Sequence, residues 1–248
     1  MGKVRLGLRG AWMVGLLIAC VPLHYLWKLT GTASPWPRRF LRGIGRAAGM
    51  RVRVSGEPLP GGVLFVANHM SWLDIMILAG ASGTAFVSKG EVGRWPVVGW
   101  LARLNDTVFV ERSARAAVRD QADALRSALG RGQPVALFPE GTTDGGAEVL
   151  PFRASLLASL YPPMPGVRVQ PVAIDYGEAG RDIAWVGEEP AAANLKRVLS
   201  RRGTLAVTLA FLDPLDPAAV ADRKRLAELA RERILAALHP SGSAPDRL

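Results

Sequence analysis

The segment Asn68–Asp74, with the sequence NHMSWLD, carries the side chains best suited to acid–base chemistry. It lies between two apolar runs, Val63–Ala67 and Ile75–Leu78, which predicts a polar cluster at the end of a buried strand. A neutral imidazole can take a proton from an alcohol near pH 7. The carboxylate of Asp74 could hold the tautomer of His69 and stabilise the imidazolium that forms.

The same two residues also fit a simpler interpretation, in which His69 caps the next helix and Asp74 is a solvated residue of its first turn. Taken alone, the pair leaves both interpretations open. A spacing of five residues sweeps about 140° around a straight helix, so a working pair fits better with His69 in a loop and Asp74 in the first helical turn. Ser71 lacks a G-x-S-x-G elbow. We therefore expect His69 to activate a hydroxyl of the substrate, which requires an activated acyl donor such as a thioester.

Polar side chains also follow three other predicted strands, at Lys89, at Arg112 and at Glu140-Gly141-Thr142. In parallel α/β sheets the ligand crevice lies outside the carboxyl ends of the strands, so we expect one shared site. Cationic side chains suited to a phosphate or carboxylate are Lys89, Arg112 and Arg153. Each of these features alone is more often a surface charge or an ordinary turn.

Strands alternate with helices along the globular part, which predicts an α/β fold with a mixed, partly parallel sheet flanked by helices. Strands are predicted at Arg51–Val54 (an edge strand), Val63–Ala67, Thr84–Ser88, Val108–Val110, Val135–Phe138, Val167–Ile174, Ile183–Val186 and Leu205–Phe211. Helices are predicted at Trp72–Ala79, Trp95–Leu104, Ala114–Leu129, Leu156–Tyr161 and Ala218–Leu238. Residues 50–240 are expected to form one catalytic domain, with a disordered tail at 241–248.

Residues 1–49 are predicted to be an N-terminal membrane anchor. The run Ala11–Trp27 is apolar, is interrupted by Pro22, and has arginine and lysine on both sides. It is close to the lower length limit for a bilayer span. A cleaved signal peptide is the alternative, but an arginine-rich segment follows instead of a small-x-small cleavage site. Whether the helical segment spans the bilayer or lies in one leaflet stays open.

The net charge of +10 in 248 residues favours an anionic partner, such as nucleic acid, a membrane surface or a phosphorylated substrate. No nucleic-acid-binding motif is present, so nucleic acid is not expected. The single cysteine, Cys20, excludes disulfides within the chain and multi-cysteine metal sites. The other histidines, His24 and His239, are remote in sequence from His69, so we expect no metal.

Four ordered blocks resemble the glycerolipid acyltransferases typified by bacterial 1-acyl-glycerol-3-phosphate acyltransferase. Asn68–Asp74 is similar to the N-H-x-x-x-x-D block of that family, and Phe138–Thr143 to its F-P-E-G-T block. Lys89–Arg112 resembles the second block, and Val169–Ile174 the fourth, of the V-P-V-A-I type. The resemblance spans about residues 50–175.

The resemblance implies an O-acyltransferase in which His69 and Asp74 are catalytic. It implies that Arg112 binds the phosphate of the acceptor and that Glu140 and Gly141 help to hold the acceptor. The full predicted substrate-binding set is Lys89, Arg112, Glu140, Gly141, Thr142 and Arg153.

Two departures from the pattern concern the acceptor. Asp144 stands where a basic or small residue is common, and Arg153 replaces a frequent lysine. Phe138–Arg153 followed by Val169–Tyr176 is also similar to the branch that acylates lyso-ornithine lipid. The sequence therefore predicts transfer to 1-acyl-sn-glycerol-3-phosphate, giving phosphatidic acid, with lyso-ornithine lipid as the rival acceptor.

The expected co-substrate is acyl-CoA or an acyl carrier protein, with no further cofactor. The expected location is the cytoplasmic face of the inner membrane, where lysolipid acceptors are within reach. A catalytically inactive membrane lipid-binding protein is the alternative from another class.

Overall fold

In the computed structural model, the described residues form one mixed sheet of seven strands. The structure describes residues 1–110, 115–143, 145 and 149–239, and it does not describe the side chains of residues 89, 110 and 115–121. The strands are β1 (Met50–Ser55), β2 (Val63–Ala67), β3 (Ala85–Lys89), β4 (Val108–Val110), β5 (Val135–Leu137), β6 (Arg168–Asp175) and β7 (Leu205–Phe211). Their order is β1-β7-β6-β2-β5-β3-β4. Strands β6, β2, β5, β3 and β4 run parallel, whereas β7 is antiparallel to β6 and carries β1 parallel to itself. The predicted α/β class with a mixed, partly parallel sheet is confirmed.

Helices cover both faces of this sheet. They are α1 (Gly2–Lys28), α2 (Trp36–Ala47), α3 (Leu73–Ser82), α4 (Gly90–Gly93), α5 (Pro96–Leu104), α6 (Arg115–Gly130), α7 (Ala191–Ser200) and α8 (Arg223–Leu238). Short 3-10 turns occupy Ala154–Leu160, Gly177–Asp182 and Pro217–Ala219.

The central strand β2 is buried along its whole length, as expected for a continuous apolar run in a parallel sheet. Its side chains alternate between two cores. Phe65 and Ala67 belong to the core under α3, whereas Leu64 and Val66 belong to the core under α6 and α8. A strand buried on both faces fixes the register of the loop that follows it, and that loop is the Asn68–Asp74 segment.

Helix α3 is held at its far end by α2. The Arg42 guanidinium donates to the carbonyl of Gly80 (Nε–O 2.9 Å), and Arg38 donates to the carbonyl of Ala81. Cations at a helix C-terminus are favourable because the last carbonyls lack partners within the helix. A Cβ added at Gly80 would lie 2.8 Å from the Cα of Arg42, so the two helices touch through their backbones.

Helix α1 lies lengthwise on the domain. Near its start, Arg9 donates to the carbonyls of Leu199 and Gly203 at the C-terminal end of α7. Near its other end, Cys20 and His24 are buried. The helix is long and apolar enough to cross a membrane by length and composition alone, and it continues through Pro22.

The strand predicted at Ile183–Val186 is wrong. Ile183 and Ala184 are buried, but the segment is irregular and binds other loops instead of the sheet. The N–H of Trp185 donates to the carbonyl of Met70, and the side chain of Asn194 donates to the carbonyl of Ala184. These long-range contacts override the local preference for a strand. Helices α2, α4 and α7 were not predicted as separate elements.

The contact between α2 and α3 predicts a specific sensitivity at Gly80. In Gly80→Ala the added methyl group meets the backbone of Arg42, so the helices must separate, at a cost of about 1–3 kcal/mol. Chemical unfolding in detergent, followed by tryptophan fluorescence, measures this loss. The matched control is Gly130→Ala at the end of α6, where no atom lies within 4 Å of the new Cβ, and stability should be unchanged or slightly raised. Equal effects of the two substitutions would contradict the close crossing.

Candidate active site

The carboxyl ends of β2, β5 and β6 meet at one edge of the sheet and hold the candidate site. His69 follows β2, Glu140 follows β5, and Tyr176 follows β6. The amide of Asn68 closes the join between β2 and β6. It donates to the carbonyl of Ile174 (2.9 Å) and accepts from the N–H of the same residue (2.8 Å). The predicted meeting of strand ends therefore holds for β2 and β5, where the backbone of His69 contacts Glu140, and β6, which was not among the predicted strands of the site, joins them.

Asp74 is a fully buried carboxylate. Its Oδ2 accepts from the backbone N–H groups of Met70 (2.7 Å) and Ser71 (2.8 Å) and lies 2.9 Å from Nδ1 of His69. Its Oδ1 accepts from the hydroxyl of Tyr176 at 2.6 Å. A buried carboxylate requires such donors, because losing water without replacement is costly. The interpretation of Asp74 as a solvated helix residue is therefore wrong.

His69 lies in the loop before α3, and Asp74 lies in the first turn of that helix, the arrangement that the spacing favoured. The ring of His69 stacks on Phe138, with centroids 3.9 Å apart and an interplanar angle of 12°. Because a carboxylate only accepts hydrogen bonds, Nδ1 of the neutral imidazole carries the proton and Nε2 keeps its lone pair. The side chain is 16% exposed, so the ring is fixed on one side and reachable on the other.

Glu140 joins the two loops of the site. The residue is 2% exposed, and its Oε1 accepts from the backbone N–H of His69 (2.7 Å) while Oε2 accepts from that of Leu150 (3.0 Å). The side chain therefore positions the backbone that carries the imidazole. Direct contact of Glu140 with an acceptor stays a prediction.

Arg153 and the turn after Glu140 form the exposed side of the site. Gly141 has φ +75°, and a Cβ at this position would lie 3.1 Å from Cζ of Arg153. Glycine is therefore favoured both by the backbone conformation and by the space. Among the described residues, the guanidinium of Arg153 is exposed and has no hydrogen bond or ion pair. Thr142, the next residue after Gly141, is also exposed. These groups can meet an anionic headgroup.

Two predicted binding residues cannot be placed with their side chains. The backbone of Lys89 ends β3 at the same edge of the sheet, but its side chain is not described. Arg112 lies outside the described residues, as do Asp144 and the tail at 241–248. Within the described ranges, no three histidine, cysteine, aspartate or glutamate side chains are grouped to hold a metal.

Tyr176 and Trp185 belong to the site but were not predicted. Tyr176 follows β6 directly, so the same strand-end argument could have found it. Burial, the charge of Asp74 and the hydrogen bond to it raise the pKa of Tyr176 well above its usual value of about 10. The phenol therefore stays a donor. The backbone of Trp185 joins both loops of the site. Its backbone N–H donates to the carbonyl of Met70, and its carbonyl accepts from the hydroxyl of Thr143.

The hydrogen bond from Tyr176 predicts a stability difference that depends on pH. Below about pH 10, Tyr176→Phe should be less stable by about 1–3 kcal/mol, because Oδ1 of Asp74 loses its donor. Above about pH 10, the tyrosine ionises in the unfolded chain but not in the folded one, so stability falls in the wild type and the gap narrows. Unfolding free energies from pH 8 to 11 measure this gap.

The control is Tyr25→Phe, because the Tyr25 side chain is 48% exposed on α1. It should show no gap at any of these pH values. A gap for Tyr176→Phe that keeps its size up to pH 11 would contradict the raised pKa.

Comparison with known proteins identifies the family. The profile of the Acyltransferase family matches residues 51–175, and this range includes each of the predicted blocks. A crystal structure of the 1-acyl-sn-glycerophosphate acyltransferase of Thermotoga maritima covers 96% of both chains with a TM-score of 0.67 at 24% identity. It shows that the two chains share a fold.

Sequence relatives extend well beyond the family blocks. The lyso-ornithine lipid O-acyltransferase of Rhodobacter capsulatus is 37% identical over 91% of this chain and 87% of its own length. That of Brucella abortus is 36% identical over 96% and 95%. The 1-acyl-sn-glycerol-3-phosphate acyltransferase of Neisseria gonorrhoeae is 34% identical over 76% and 74%. The chain therefore belongs to the Acyltransferase family, and it is an acyltransferase of the lysophospholipid type.

Proposed function

We propose that this protein transfers an acyl chain from a CoA or carrier-protein thioester to the hydroxyl of lyso-ornithine lipid. The choice of acceptor rests on the share of the chain over which each class of relative aligns. Lyso-ornithine lipid acyltransferases align over 90–96% of the chain, whereas the Neisseria 1-acyl-sn-glycerol-3-phosphate enzymes align over 76%. Transfer to 1-acyl-sn-glycerol-3-phosphate is the second candidate, supported by those Neisseria relatives.

The proposed mechanism uses His69 as a general base. Nε2 takes the proton of the acceptor hydroxyl as the hydroxyl oxygen attacks the thioester carbonyl. Collapse of the tetrahedral intermediate breaks the carbon–sulfur bond, and the imidazolium returns its proton to the departing thiolate. Asp74 keeps Nδ1 protonated before the reaction and balances the imidazolium charge during it. No group of the enzyme is acylated, and no cofactor beyond the thioester co-substrate is required.

The proposed acceptor contacts lie on the exposed side of the site. Arg153 would pair with the carboxylate of lyso-ornithine lipid or with the phosphate of the alternative acceptor, since a guanidinium binds either in a bidentate fashion. Thr142 adds a hydroxyl nearby, while Glu140 and Gly141 shape the turn. Lys89 and Arg112 remain proposed partners of the same headgroup.

Membrane association is proposed to occur along α1, with the helix lying in one leaflet. Both ends of the helix lie against the same folded domain: Arg9 binds carbonyls at the C-terminal end of α7 at one end, and the buried Cys20 and His24 line a small pocket with Leu101 and Leu104 of α5 at the other. The two ends therefore lie on one side of a bilayer. Exposed apolar side chains on this helix include Val4, Leu8, Trp12, Val14, Ile18 and Leu26. An apolar outer face on a helix bordered by basic residues suits an interfacial position. We propose that this membrane is the inner membrane and that α1 lies at its cytoplasmic face.

The catalytic proposal predicts a large loss of activity in His69→Ala. Removing a general base should lower the rate of acyl transfer by about 10²–10⁴-fold. Thiol released from acyl-CoA in the presence of lysolipid measures the reaction. The control is His239→Ala, because His239 is an exposed histidine beyond α8, and it should keep the full rate. No acceptor-dependent thiol release from the wild type would favour the inactive lipid-binding alternative.

The acceptor proposal predicts a change in KM when Arg153 loses its charge. Arg153→Gln should raise the KM for lyso-ornithine lipid roughly tenfold, with little change in kcat, because a charge-assisted contact to the headgroup is lost. Arg202→Gln removes an exposed charge outside the site and should leave both constants unchanged.

Side-by-side assays with lyso-ornithine lipid and 1-acyl-sn-glycerol-3-phosphate decide which acceptor the enzyme uses. Turnover of only the phosphate acceptor would contradict the first candidate.

A further inference from the structure

A groove of about 450 Å³ lies outside the candidate active site, between α2, α3 and the edge strand β1. It is lined by Arg42 and Arg46 of α2, Val52 and Val54 of β1, and Met76 and Ala81 of α3, among others. The volume is within the range of about 300–1,000 Å³ found for ligand sites. Neither the proposed mechanism nor the proposed acceptor contacts use this groove.

The floor of the groove is apolar and uncovered. Val52 and Val54 are 40% and 48% exposed, although both line the groove beside α2 and α3. In contrast, every residue of β2 is buried. The two helices pack closely against each other at Gly80 and Gly45 and leave this part of the sheet open. An occupant of the groove must therefore present hydrocarbon to β1.

Among the described residues that line the groove, the charged ones are Arg42, Arg46 and Arg51, and none is acidic. Burial and the charges of Arg38 and Arg46 lower the pKa of Arg42, which shows that the cations are crowded. Within the described residues, the side chain of Arg46 has no hydrogen bond or ion pair and is exposed. A crowded pair of guanidinium groups with free donors favours an anion.

The groove borders the surface proposed to meet the membrane. Helix α2, which carries Arg42 and Arg46, packs alongside α1. The outer face of α1 is apolar, so phospholipids would surround this helix pair. Arginines on a helix beside the lipid-facing α1 suit the phosphate level of a leaflet, with hydrocarbon immediately beyond it.

We propose that this groove binds one anionic phospholipid that is not a substrate. One hydrocarbon chain would lie over Val52, Val54 and Met76, and the headgroup phosphate would meet Arg46 and Arg42. The proposal rests on the in-plane position of α1 and adds a second lipid site to the protein. The bound lipid would pin α2 against the sheet edge and thereby support α3, which begins with the loop of the active site.

The test measures the binding of dioleoylphosphatidylglycerol to the full chain in mild detergent, by native mass spectrometry and by titration. One lipid should bind per chain, with dioleoylphosphatidylcholine binding more weakly. Arg46→Gln should weaken phosphatidylglycerol binding about fivefold, which is the effect on affinity expected from losing one partly screened ion pair. Arg53→Gln is the matched control, because Arg53 lies on β1 but does not line the groove, and its affinity should equal that of the wild type.

Val54→Glu, which places a carboxylate in the groove, should abolish binding while the circular dichroism spectrum and melting temperature are retained. His69→Ala should bind the lipid fully, so failure of the catalytic proposal is distinguishable from failure of this one. Equal binding by Arg46→Gln and Arg53→Gln, or equal affinity for the two lipids, would overturn the proposal. A dimer of the wild type that Val54→Glu dissociates would assign the groove to a second copy instead.

Discussion

The burial of the Asp74 carboxylate is the constraint on which the site depends. A carboxylate removed from water must be met by donors, and here each donor fixes a different part of the molecule. The backbone N–H groups of Met70 and Ser71 hold the loop, Nδ1 of His69 holds the ring, and Tyr176 ties both to the end of β6. Satisfying one charge therefore sets the tautomer and orientation of the proposed base. The buried carboxylate of Glu140 fixes the same loop in a similar way, because it accepts from the backbone N–H of His69.

The connection of α1 and α2 to the rest of the domain relies on a second recurring interaction. Arginines on α1 and α2 donate to the last carbonyls of α7 and α3, respectively. Each contact places a cation at the negative end of a helix dipole. Since α3 begins with the turn that carries Asp74, the helix that α2 holds at one end positions the Asp74 carboxylate at the other. The proposed lipid-facing surface and the acid–base pair are therefore joined by one ten-residue helix.

The sequence was most informative where local pattern and sheet topology agree. Apolar runs followed by polar residues predicted β2, β5 and the edge where His69 and Glu140 meet, and the spacing placed Asp74 in a helical turn. Tyr176 was missed although it follows β6, because its strand-end position alone does not reveal its partner Asp74, which is distant in the chain. The error at Ile183–Val186 has the same origin: a short apolar run specifies burial, but contacts to Met70, Thr143 and Asn194 decide its conformation.

The central claim is that Asp74 holds His69 as the neutral tautomer with the proton on Nδ1 and a free lone pair on Nε2. The most direct measurement is the 15N NMR spectrum of protein labelled at its three histidines, with the His69 signals assigned by their loss in His69→Ala. The account predicts that, at a pH where the ring is neutral, Nδ1 of His69 carries the hydrogen and Nε2 gives the shift of an unprotonated nitrogen. A hydrogen on Nε2 with a bare Nδ1 would contradict the account, because the imidazole could then neither donate to Asp74 nor accept the proton of a lysolipid hydroxyl at its exposed nitrogen.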